Sequence, residues 1–488
     1  MRPEKPASVE KSRLGVPTPD EGIGARIIAS RIGHVAKRKL APGEAVLLAY
    51  HGVNNSVDWE QDMADGENRP AGGGDGRAYG FRPGIPDEEM ARCGPGTLGG
   101  ELLRRYWQPL AASGDAGRLP KLVKIFGEEL ILFRDGSGKA GLLYPRCAHR
   151  GTTLLYGRVE ERGIRCCYHG WLFDTEGRVV EMACEPGVAN ATARQPWYPL
   201  VEKHGLIFVY MGPAEKQPVF PCFSIAEKLA EDEALVARGS LTTQQMPVGT
   251  NMEALIGNDY NWWNFHDNVL DPFHLYWLHG NLNGVQFVPT YAILPKVKFE
   301  YTKDGVRSIQ HRDLGDGRIH QRMGQSLLPN VNTITPLNDD VGFGGLGWTI
   351  AIDDTHFRTF GLSRAKKNSD PARMMRELGI TNGSWGPKKA PGQKWTLEDH
   401  QAWQSDYVCQ KGQGDISLHS EEHLSMTDTG IAMFRRMFRQ QAEAVARGED
   451  PIGVTFDEPY LVKPIAANCI LDAKTMESIH GPDGRLLS

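Results

Sequence analysis

Short apolar runs separated by polar turns dominate the first part of the chain that has a regular pattern. Residues 122–126, 130–133 and 206–210 are each of strand length and rich in β-branched and aromatic side chains. Turns that contain glycine separate such runs, as expected for short strands joined by hairpins. We therefore predict a small all-β domain at residues 85–220.

After residue 220 the pattern becomes a mixture of strand-like and helical periods. Residues 348–352 form an apolar run of strand length. One helical stripe consists of Ile431, Phe434, Phe438 and Val445. This spacing predicts a helix that packs against a core and ends before Gly448. We place a domain of mixed strands and helices at residues 221–460, followed at 461–488 by a C-terminal tail without a recognisable site.

A shorter helix is predicted where the regular pattern begins. The turn at residues 94–97 can cap it, and Leu102, Leu103 and Trp107 follow at near-helical spacing. Before this point, Pro and Gly recur and four of the six residues at 71–76 are glycine, which is typical of a linker. We therefore predict that residues 1–84 are a poorly structured N-terminal extension.

Composition and charge exclude several classes of protein. The chain has 488 residues, 40% hydrophobic and 24% charged, which is enough for two or three domains of ordinary composition. Its formal net charge of -5 gives no electrostatic basis for nucleic-acid binding. No apolar run approaches the ~18 residues of a membrane span. The eight Cys and an N-terminus without a signal-peptide pattern favour the reducing cytoplasm.

One stretch combines cysteine and histidine at a spacing that suits a metal cluster. It reads Cys147-Ala148-His149 and, after sixteen further residues, Cys166-Cys167-Tyr168-His169. In a Rieske-type [2Fe–2S] cluster two Cys hold one iron and two His hold the other. Zinc also binds two Cys and two His, but its usual order keeps the two Cys close together and the two His close together. Since each loop here offers one Cys and one His, the cluster is favoured, with ligands Cys147, His149, Cys166 and His169.

Two details of these loops refine the prediction. Cys166 lies three residues before His169, so it is the predicted ligand, and Cys167 is expected to be a buried free thiol. Gly151 and Gly170 follow the two loops, and glycine lets a backbone approach a cofactor closely and adopt positive φ.

A second candidate site follows downstream, at Asp271-Pro272-Phe273-His274 and His279. Asp271 is a plausible helix cap with Pro272 at the first helical position. A spacing of five would leave the two His rings about 140° apart on a straight helix, so they can converge only if the helix ends early or contains a π-type bulge. Two readings remain at this point: core histidines within an aromatic belt, or ligands of a non-haem Fe(II) site made of two His and a carboxylate. The upstream cluster favours iron.

The chain resembles the Rieske non-haem iron aromatic-ring-hydroxylating oxygenases, in particular the large (alpha) subunits of the phthalate dioxygenase and vanillate demethylase-like branch. The resemblance covers roughly residues 88–447. It rests on the residues at 94–97, 104–107, 147–151, 166–171, 261–262, 267–268, 271–274, 279, 422–424 and 428–431. Asp267 stands where the family often has Glu.

The resemblance implies an α+β fold: an N-terminal all-β Rieske domain and a helix-grip, START-like catalytic domain whose antiparallel sheet wraps around a long helix. It also implies a homotrimer in which the cluster of one subunit faces the iron of the next. Asp271 would bridge a cluster His and an iron His across that interface. Electrons would come from NAD(P)H only indirectly, through a separate ferredoxin or reductase.

The third iron ligand is expected far downstream of His279. The acids available between residues 400 and 430 are Asp406, Asp415, Glu421, Glu422 and Asp428. The resemblance favours Asp406, because residues 405–410 match a segment of the branch. The apolar neighbours of Asp406 agree, since a carboxylate that faces inward is costly unless it is paired or binds a metal.

The predicted function is that of the oxygenase component of a multicomponent system. It would use O2 and reductase-derived electrons to hydroxylate or O-demethylate an aromatic compound at a mononuclear Fe(II). The alternative is a Rieske-type electron-transfer protein without a catalytic mononuclear iron. Neither nucleic acid nor a membrane is an expected partner.

Overall fold

The computed structural model describes residues 78, 81–185, 187, 192–227, 229–239, 241, 258–335, 344–367, 396–464 and 467–478. All of them belong to one unit, Asn68–Ser488. The poorly structured extension predicted at 1–84 lies outside the described residues, apart from residues 78 and 81–84.

Apart from short 3-10 turns, the helices of the described residues are α1 (Glu88–Ala91), α2 (Leu98–Arg104), α3 (Trp262–Leu270), α4 (Phe273–Trp277), α5 (Leu397–Ala402), α6 (Asp406–Gly412) and α7 (Thr429–Ala446). Helix α2 confirms the helix predicted after the turn at 94–97, but it ends at Arg104, so Trp107 of the predicted pattern lies outside it. Its N-cap is Thr97, whose hydroxyl accepts a hydrogen bond from the N–H of Gly100. The helix buries Leu102 and Leu103.

The N-terminal part of the described chain is built from short antiparallel strands. They are β1 (Gln108–Ala112), β2 (Lys121–Ile125), β3 (Glu128–Arg134), β4 (Ala140–Leu143), β5 (Arg158–Glu160), β6 (Gly163–Arg165), β7 (Trp171–Phe173), β8 (Val179–Met182), β9 (Leu200–Lys203) and β10 (Leu206–Val209). Three sheets result, in the orders β1-β10-β9, β2-β3-β4 and β5-β6-β7-β8. The β fold predicted for this part of the chain is therefore confirmed, and the candidate cluster loops lie between its strands. The domain bounds 85–220 stay a prediction.

The second part contains a large antiparallel sheet. Its strands are β12 (Glu233–Arg238), β13 (Lys296–Tyr301), β14 (Gly305–Asp313), β15 (Arg318–Leu327), β16 (Val331–Ile334), β17 (Gly345–Asp353), β18 (His356–Lys366) and β20 (Asn468–Asp472). The order is β12-β18-β17-β16-β15-β14-β13, and β20 pairs with β15. Strand β20 lies in the segment 461–488 that was predicted to be a tail. That prediction was wrong for these residues, because β20 pairs with β15 and extends the large sheet. A small parallel pair joins β11 (Cys222–Phe223) to β19 (Leu461–Val462).

The long helix α7 packs against strands β13 and β14 at one edge of this sheet. Phe434 and Phe438 of the predicted stripe are buried, and the Phe438 ring meets that of Trp263 in helix α3 at a centroid distance of 4.6 Å. At the start of α7, a Cβ on Gly430 would lie only 2.3 Å from the Phe299 ring of β13. Only glycine therefore allows the helix to approach the sheet this closely.

Backbone and side-chain hydrogen bonds join the β-domain to the large sheet. The N–H groups of Phe126 and Gly127 donate to the carbonyls of Ala351 and Ile352, at 3.0 and 2.8 Å. Gln108 accepts from the buried side chain of Asn330. Because these contacts are buried or lie in regular strands, they fix the β-domain on the sheet.

Candidate metal centres

The two cluster loops share one backbone arrangement. In each loop the cysteine carbonyl accepts a hydrogen bond from a glycine four residues later: Gly151 to Cys147 at 2.8 Å and Gly170 to Cys166 at 3.2 Å. Each cysteine N–H in turn donates to the carbonyl five residues later. Both glycines have positive φ, 76° and 70°. The positive φ predicted for the glycines is thus confirmed, and each loop turns back on its own cysteine.

The cysteines of these loops lie in the core of the β-domain, and the histidines lie together. Cys147 and Cys166 are buried in one hydrophobic cluster. Burial raises the pKa of the Cys147 thiol to about 11, and the adjacent Cys166 thiol adds to this shift. The rings of His149 and His169 have centroids 4.6 Å apart. The buried Nδ1 of His169 has no hydrogen-bond partner among the described residues.

Gln195 supports the first loop from a distant part of the chain. Its side-chain oxygen accepts from the N–H of Ala148 at 2.7 Å, and its amide nitrogen donates to the carbonyls of Tyr144 and Arg146. The Trp171 ring stacks on His149 at a centroid distance of 4.7 Å. These contacts hold the first loop in place.

Cys167 does not occupy the buried position predicted for it. Cys166 is buried, whereas Cys167 is exposed and forms no disulfide. The prediction of a buried thiol was wrong, because the chain turns at residues 167–169 and leaves the Cys167 side chain on the outside of the loop. The structure nevertheless agrees with the choice of Cys166 as the inward-facing cysteine.

The second candidate site begins where helices α3 and α4 meet. Asp271 is the C-cap of α3, and its Oδ1 accepts a hydrogen bond of 2.7 Å from the N–H of Phe273. Asp271 is therefore not the N-cap residue predicted for α4, although its side chain does bind the N–H of the first residue of that helix. Pro272, however, is the N-cap residue of α4 and not its first helical residue, a difference of one position.

Helix α4 ends early, which lets the two histidines converge. His274 lies within α4, and His279 lies after its last residue, Trp277. The N–H of His279 donates to the carbonyl of His274 at 3.4 Å, a hydrogen bond across five residues. This wide turn is of the π type. It lets the two rings converge, whereas a straight helix would hold them about 140° apart. The predicted end or bulge between the two His is confirmed.

Asp406 completes a group of three ligand-type side chains. It is the first residue of α6, and its Oδ1 lies 3.1 Å from Nε2 of His279 and 3.8 Å from Nε2 of His274. One ligand atom from each of the three residues lies within 4.8 Å of the others. The structure thus brings together the three residues predicted as iron ligands.

Asp406 and Asp271 carry negative charge beside these histidines. Burial would raise the pKa of the Asp406 carboxyl, but His279 and His274 outweigh it and hold the pKa below its usual value. Burial is likewise outweighed at Asp271, mainly by His274, and its pKa also lies below the usual value. The Oδ2 of Asp271 lies 3.6 Å from Nδ1 of His274, longer than a hydrogen bond.

The other acids considered for the third ligand have different partners. Asp415 has a side chain that is 65% exposed and pairs with Lys411. Glu422 pairs with Arg435, while Glu421 and Asp428 accept from the backbone N–H groups of Gly84 and Ser425. Of these five acids, Asp406 is therefore the one whose carboxylate lies beside the two histidines.

Comparisons with known proteins match both parts of the chain. The family model of the Rieske [2Fe-2S] domain matches residues 106–192. The chain is 43% identical over 392 residues to the phenoxybenzoate dioxygenase subunit alpha of Ectopseudomonas oleovorans, a match that covers 78% of this chain and 91% of that relative. The chain belongs to the Rieske non-haem iron oxygenases.

Other relatives of this Rieske oxygenase differ in what they act on. The chain is 33% identical to the tert-butanol monooxygenase / tert-amyl alcohol desaturase oxygenase subunit of Aquincola tertiaricarbonis, over 75% of this chain and 78% of the relative. It is 29% identical to the 5,5'-dehydrodivanillate O-demethylase oxygenase subunit of Sphingobium sp., over 80% and 88% of the two chains.

As a Rieske oxygenase, the protein is the oxygenase component of a multicomponent system and carries a [2Fe–2S] cluster and a mononuclear iron. No helix of the described residues is both long enough and apolar enough to cross a membrane.

Three amide side chains at these centres of the oxygenase were not predicted. Gln195 holds the first cluster loop, Asn268 donates to Oδ1 of Asp406 at 3.3 Å, and Gln286 contacts the ring of His279 at 2.9 Å. Of these, Asn268 alone stood in a motif, the segment 267–268. A lone Gln in a loop carries no pattern from which its role could be inferred.

Proposed function

We propose that this oxygenase holds its two cofactors at separate sites of the chain. Cys147, His149, Cys166 and His169 would hold the [2Fe–2S] cluster. His274, His279 and Asp406 would hold the mononuclear Fe(II). The observation that carries the proposal is the convergence of the last three side chains, whose ligand atoms lie within 4.8 Å of one another.

The residues of the first site fit a Rieske cluster. Two thiols that face each other in a hydrophobic core are unfavourable as bare thiolates, and iron compensates for that cost. The buried Nδ1 of His169 likewise lacks a partner among the described residues, which a metal bond would supply. When bound, the cluster supplies single electrons.

The residues of the second site fit a non-haem iron. Two imidazoles and one carboxylate on one side of a site are typical of Fe(II) centres, and such an iron supplies O2 activation at its remaining coordination positions. The chain contributes geometry and shielding. His279 is buried, the Phe287 ring packs against it at a centroid distance of 4.9 Å, and Asn268 orients Asp406.

The proposed reaction is the hydroxylation or O-demethylation of an aromatic compound. Support comes from the named activities of two relatives, a phenoxybenzoate dioxygenase and a dehydrodivanillate O-demethylase. Electrons would reach the protein from NAD(P)H through a ferredoxin or reductase, in the cytoplasm.

We also propose a homotrimer in which the cluster of one subunit serves the iron of the next. Among the described residues, no hydrogen bond or ion pair joins the cluster loops to His274, His279 or Asp406 within one chain. Tyr168, next to the cluster ligand His169, is 57% exposed. Asp271, beside His274, would then reach a cluster histidine of the neighbouring subunit and hold both rings in place.

A single-turnover reaction under ¹⁸O2 tests this function. The protein is reduced, freed of reductant and mixed with ¹⁸O2 and a panel of aryl ethers and aromatic acids that includes phenoxybenzoate. The proposal expects one panel member to give a product that contains ¹⁸O while the cluster is oxidised. Oxidation of the cluster with no product from any panel member, in protein without a mononuclear iron, would instead indicate an electron-transfer protein.

A further inference from the structure

Gln286 holds the end of the α4 turn by three hydrogen bonds. Its backbone N–H donates to the carbonyl of His279 at 2.8 Å. Its side-chain Oε1 contacts Nδ1 of His279 at 2.9 Å, and its Nε2 donates to the carbonyl of Leu278 at 3.2 Å. Gln286 is only 4% exposed, so water does not compete for these contacts.

The contact with Leu278 fixes which way the Gln286 amide faces. A backbone carbonyl only accepts hydrogen bonds, so the NH2 group must be the one that meets it. The amide oxygen is thereby turned toward Nδ1 of His279. An amide oxygen also only accepts, so the hydrogen-bond network assigns a proton to Nδ1.

The opposite nitrogen of the ring faces the proposed iron. Nε2 of His279 points to Oδ1 of Asp406 at 3.1 Å. When His279 binds a metal as a neutral imidazole, its one proton is on Nδ1 and the lone pair on Nε2 is the one that binds. A metal ligand must be unprotonated at the atom that binds. When a metal binds at Nε2, the proton that stays on the ring is therefore the Nδ1 proton, which donates to Gln286.

His274 lacks an equivalent neutral partner. Its Nδ1 lies 3.6 Å from the Asp271 carboxylate, beyond hydrogen-bond range, and has no hydrogen-bond partner among the described residues. The two histidines therefore have different neighbours at Nδ1. His279 has the buried amide of Gln286, whereas His274 has the nearby carboxylate of Asp271.

We infer that Gln286 is a positioning residue for the mononuclear metal, which sets both the tautomer and the ring orientation of His279. The inference rests on the proposed function, since it takes His279 as a ligand. It goes beyond the ligand set, because Gln286 touches neither the metal nor the substrate and acts through His279. Partners that orient a metal-binding His typically change metal affinity by about 10- to 100-fold.

Metal titration tests the inference. The mononuclear metal is removed from the protein while its cluster is left intact, and the affinity for Co(II) and then for Fe(II) is measured. In Gln286→Met, an apolar side chain of similar length replaces the amide and cannot accept from Nδ1. Its affinity should fall about 10- to 100-fold. In Gln286→Glu, burial favours the protonated carboxyl, which still donates to Leu278 and accepts from Nδ1. This conservative variant should bind metal within about threefold of the wild type, since it keeps both hydrogen bonds.

The matched control is Gln321→Met. Gln321 contacts a different histidine, His311, at 2.7 Å across strands β14 and β15, and its loss should leave the metal affinity unchanged.

Equal metal affinity in the wild type and Gln286→Met would overturn the inference, as would equal losses in Gln286→Met and Gln286→Glu. If the wild type itself binds no metal at this site, the proposed function fails instead. An unchanged Rieske spectrum in every variant confirms that the fold is intact.

Discussion

The Oδ1 atom of Asp406 lies 3.1 Å from Nε2 of His279, although 127 positions separate the two residues in the chain. Helix α6, which begins at Asp406, is held beside α3 by buried hydrogen bonds. The Tyr260 hydroxyl donates to Oε1 of Gln410 at 2.6 Å, and the side chain of Asn264 donates to the carbonyl of Gln410. The position of the Asp406 carboxylate thus depends on the packing of α6 beside α3, whereas the two histidines are close in sequence and lie in one local turn.

The charge of Asp271 can be separated from its capping role. In Asp271→Asn, the side-chain oxygen still accepts from the N–H of Phe273, but the negative charge beside His274 is lost. We expect both metals to be retained and electron transfer from the cluster to the iron to slow by about tenfold or more. Stopped-flow absorption of the reduced cluster, mixed with O2 and substrate, measures this rate.

The control for this variant is Asp313→Asn. Asp313 also accepts from a backbone N–H two residues later, that of Gly315, but lies on strand β14. It should transfer electrons at the wild-type rate. Normal electron transfer in Asp271→Asn, with full metal content, would show that Asp271 is a cap and nothing more.

The two adjacent cysteines should respond differently to substitution. Cys166→Ser removes a buried thiol that faces Cys147 and should abolish the Rieske signal in electron paramagnetic resonance of dithionite-reduced protein. Cys167→Ser changes an exposed side chain and should leave the signal unchanged, since the exposed thiol does not face the cluster. The opposite pattern would assign the ligand to Cys167.

The close approach of α7 to the sheet predicts an effect on stability. A Cβ at Gly430 meets the Phe299 ring at 2.3 Å, and overpacking of this kind costs about 1–3 kcal/mol. Gly430→Ala should therefore lower the free energy of unfolding, measured with urea. The control is Gly412→Ala in α6, where nothing lies within 4 Å of the added Cβ. It should be neutral or stabilise by up to about 1 kcal/mol; a Gly430→Ala variant as stable as this control would contradict the packing.

What the sequence predicts well is local. Cys147, His149, Cys166 and His169 lie on two short loops, so their spacing alone indicates the cluster. The need for a break between His274 and His279 also follows from helix geometry, and the structure contains it. The exposure of Cys167 was predicted wrongly, because the direction of one side chain in a loop depends on contacts that spacing does not encode.

What depends on tertiary contacts could not be derived from the pattern. Asp406 was chosen among five acids by resemblance, with only partial support from its apolar neighbours. The docking of α6 that selects it involves Tyr260 and Asn264, residues without a recognisable motif. Gln286 was missed altogether, since its role exists only once the chain turns back on His279.

The central claim is a mononuclear iron held by His274, His279 and Asp406, and nitric oxide binding tests it most directly because it requires neither reductase nor substrate. Nitric oxide binds Fe(II) that has an open coordination position and gives an S = 3/2 signal in electron paramagnetic resonance. The wild type and Asp415→Ala should show this signal, and Asp406→Ala should lose it while it keeps the Rieske signal. A full S = 3/2 signal in Asp406→Ala, or none in iron-replete wild type, would contradict the account.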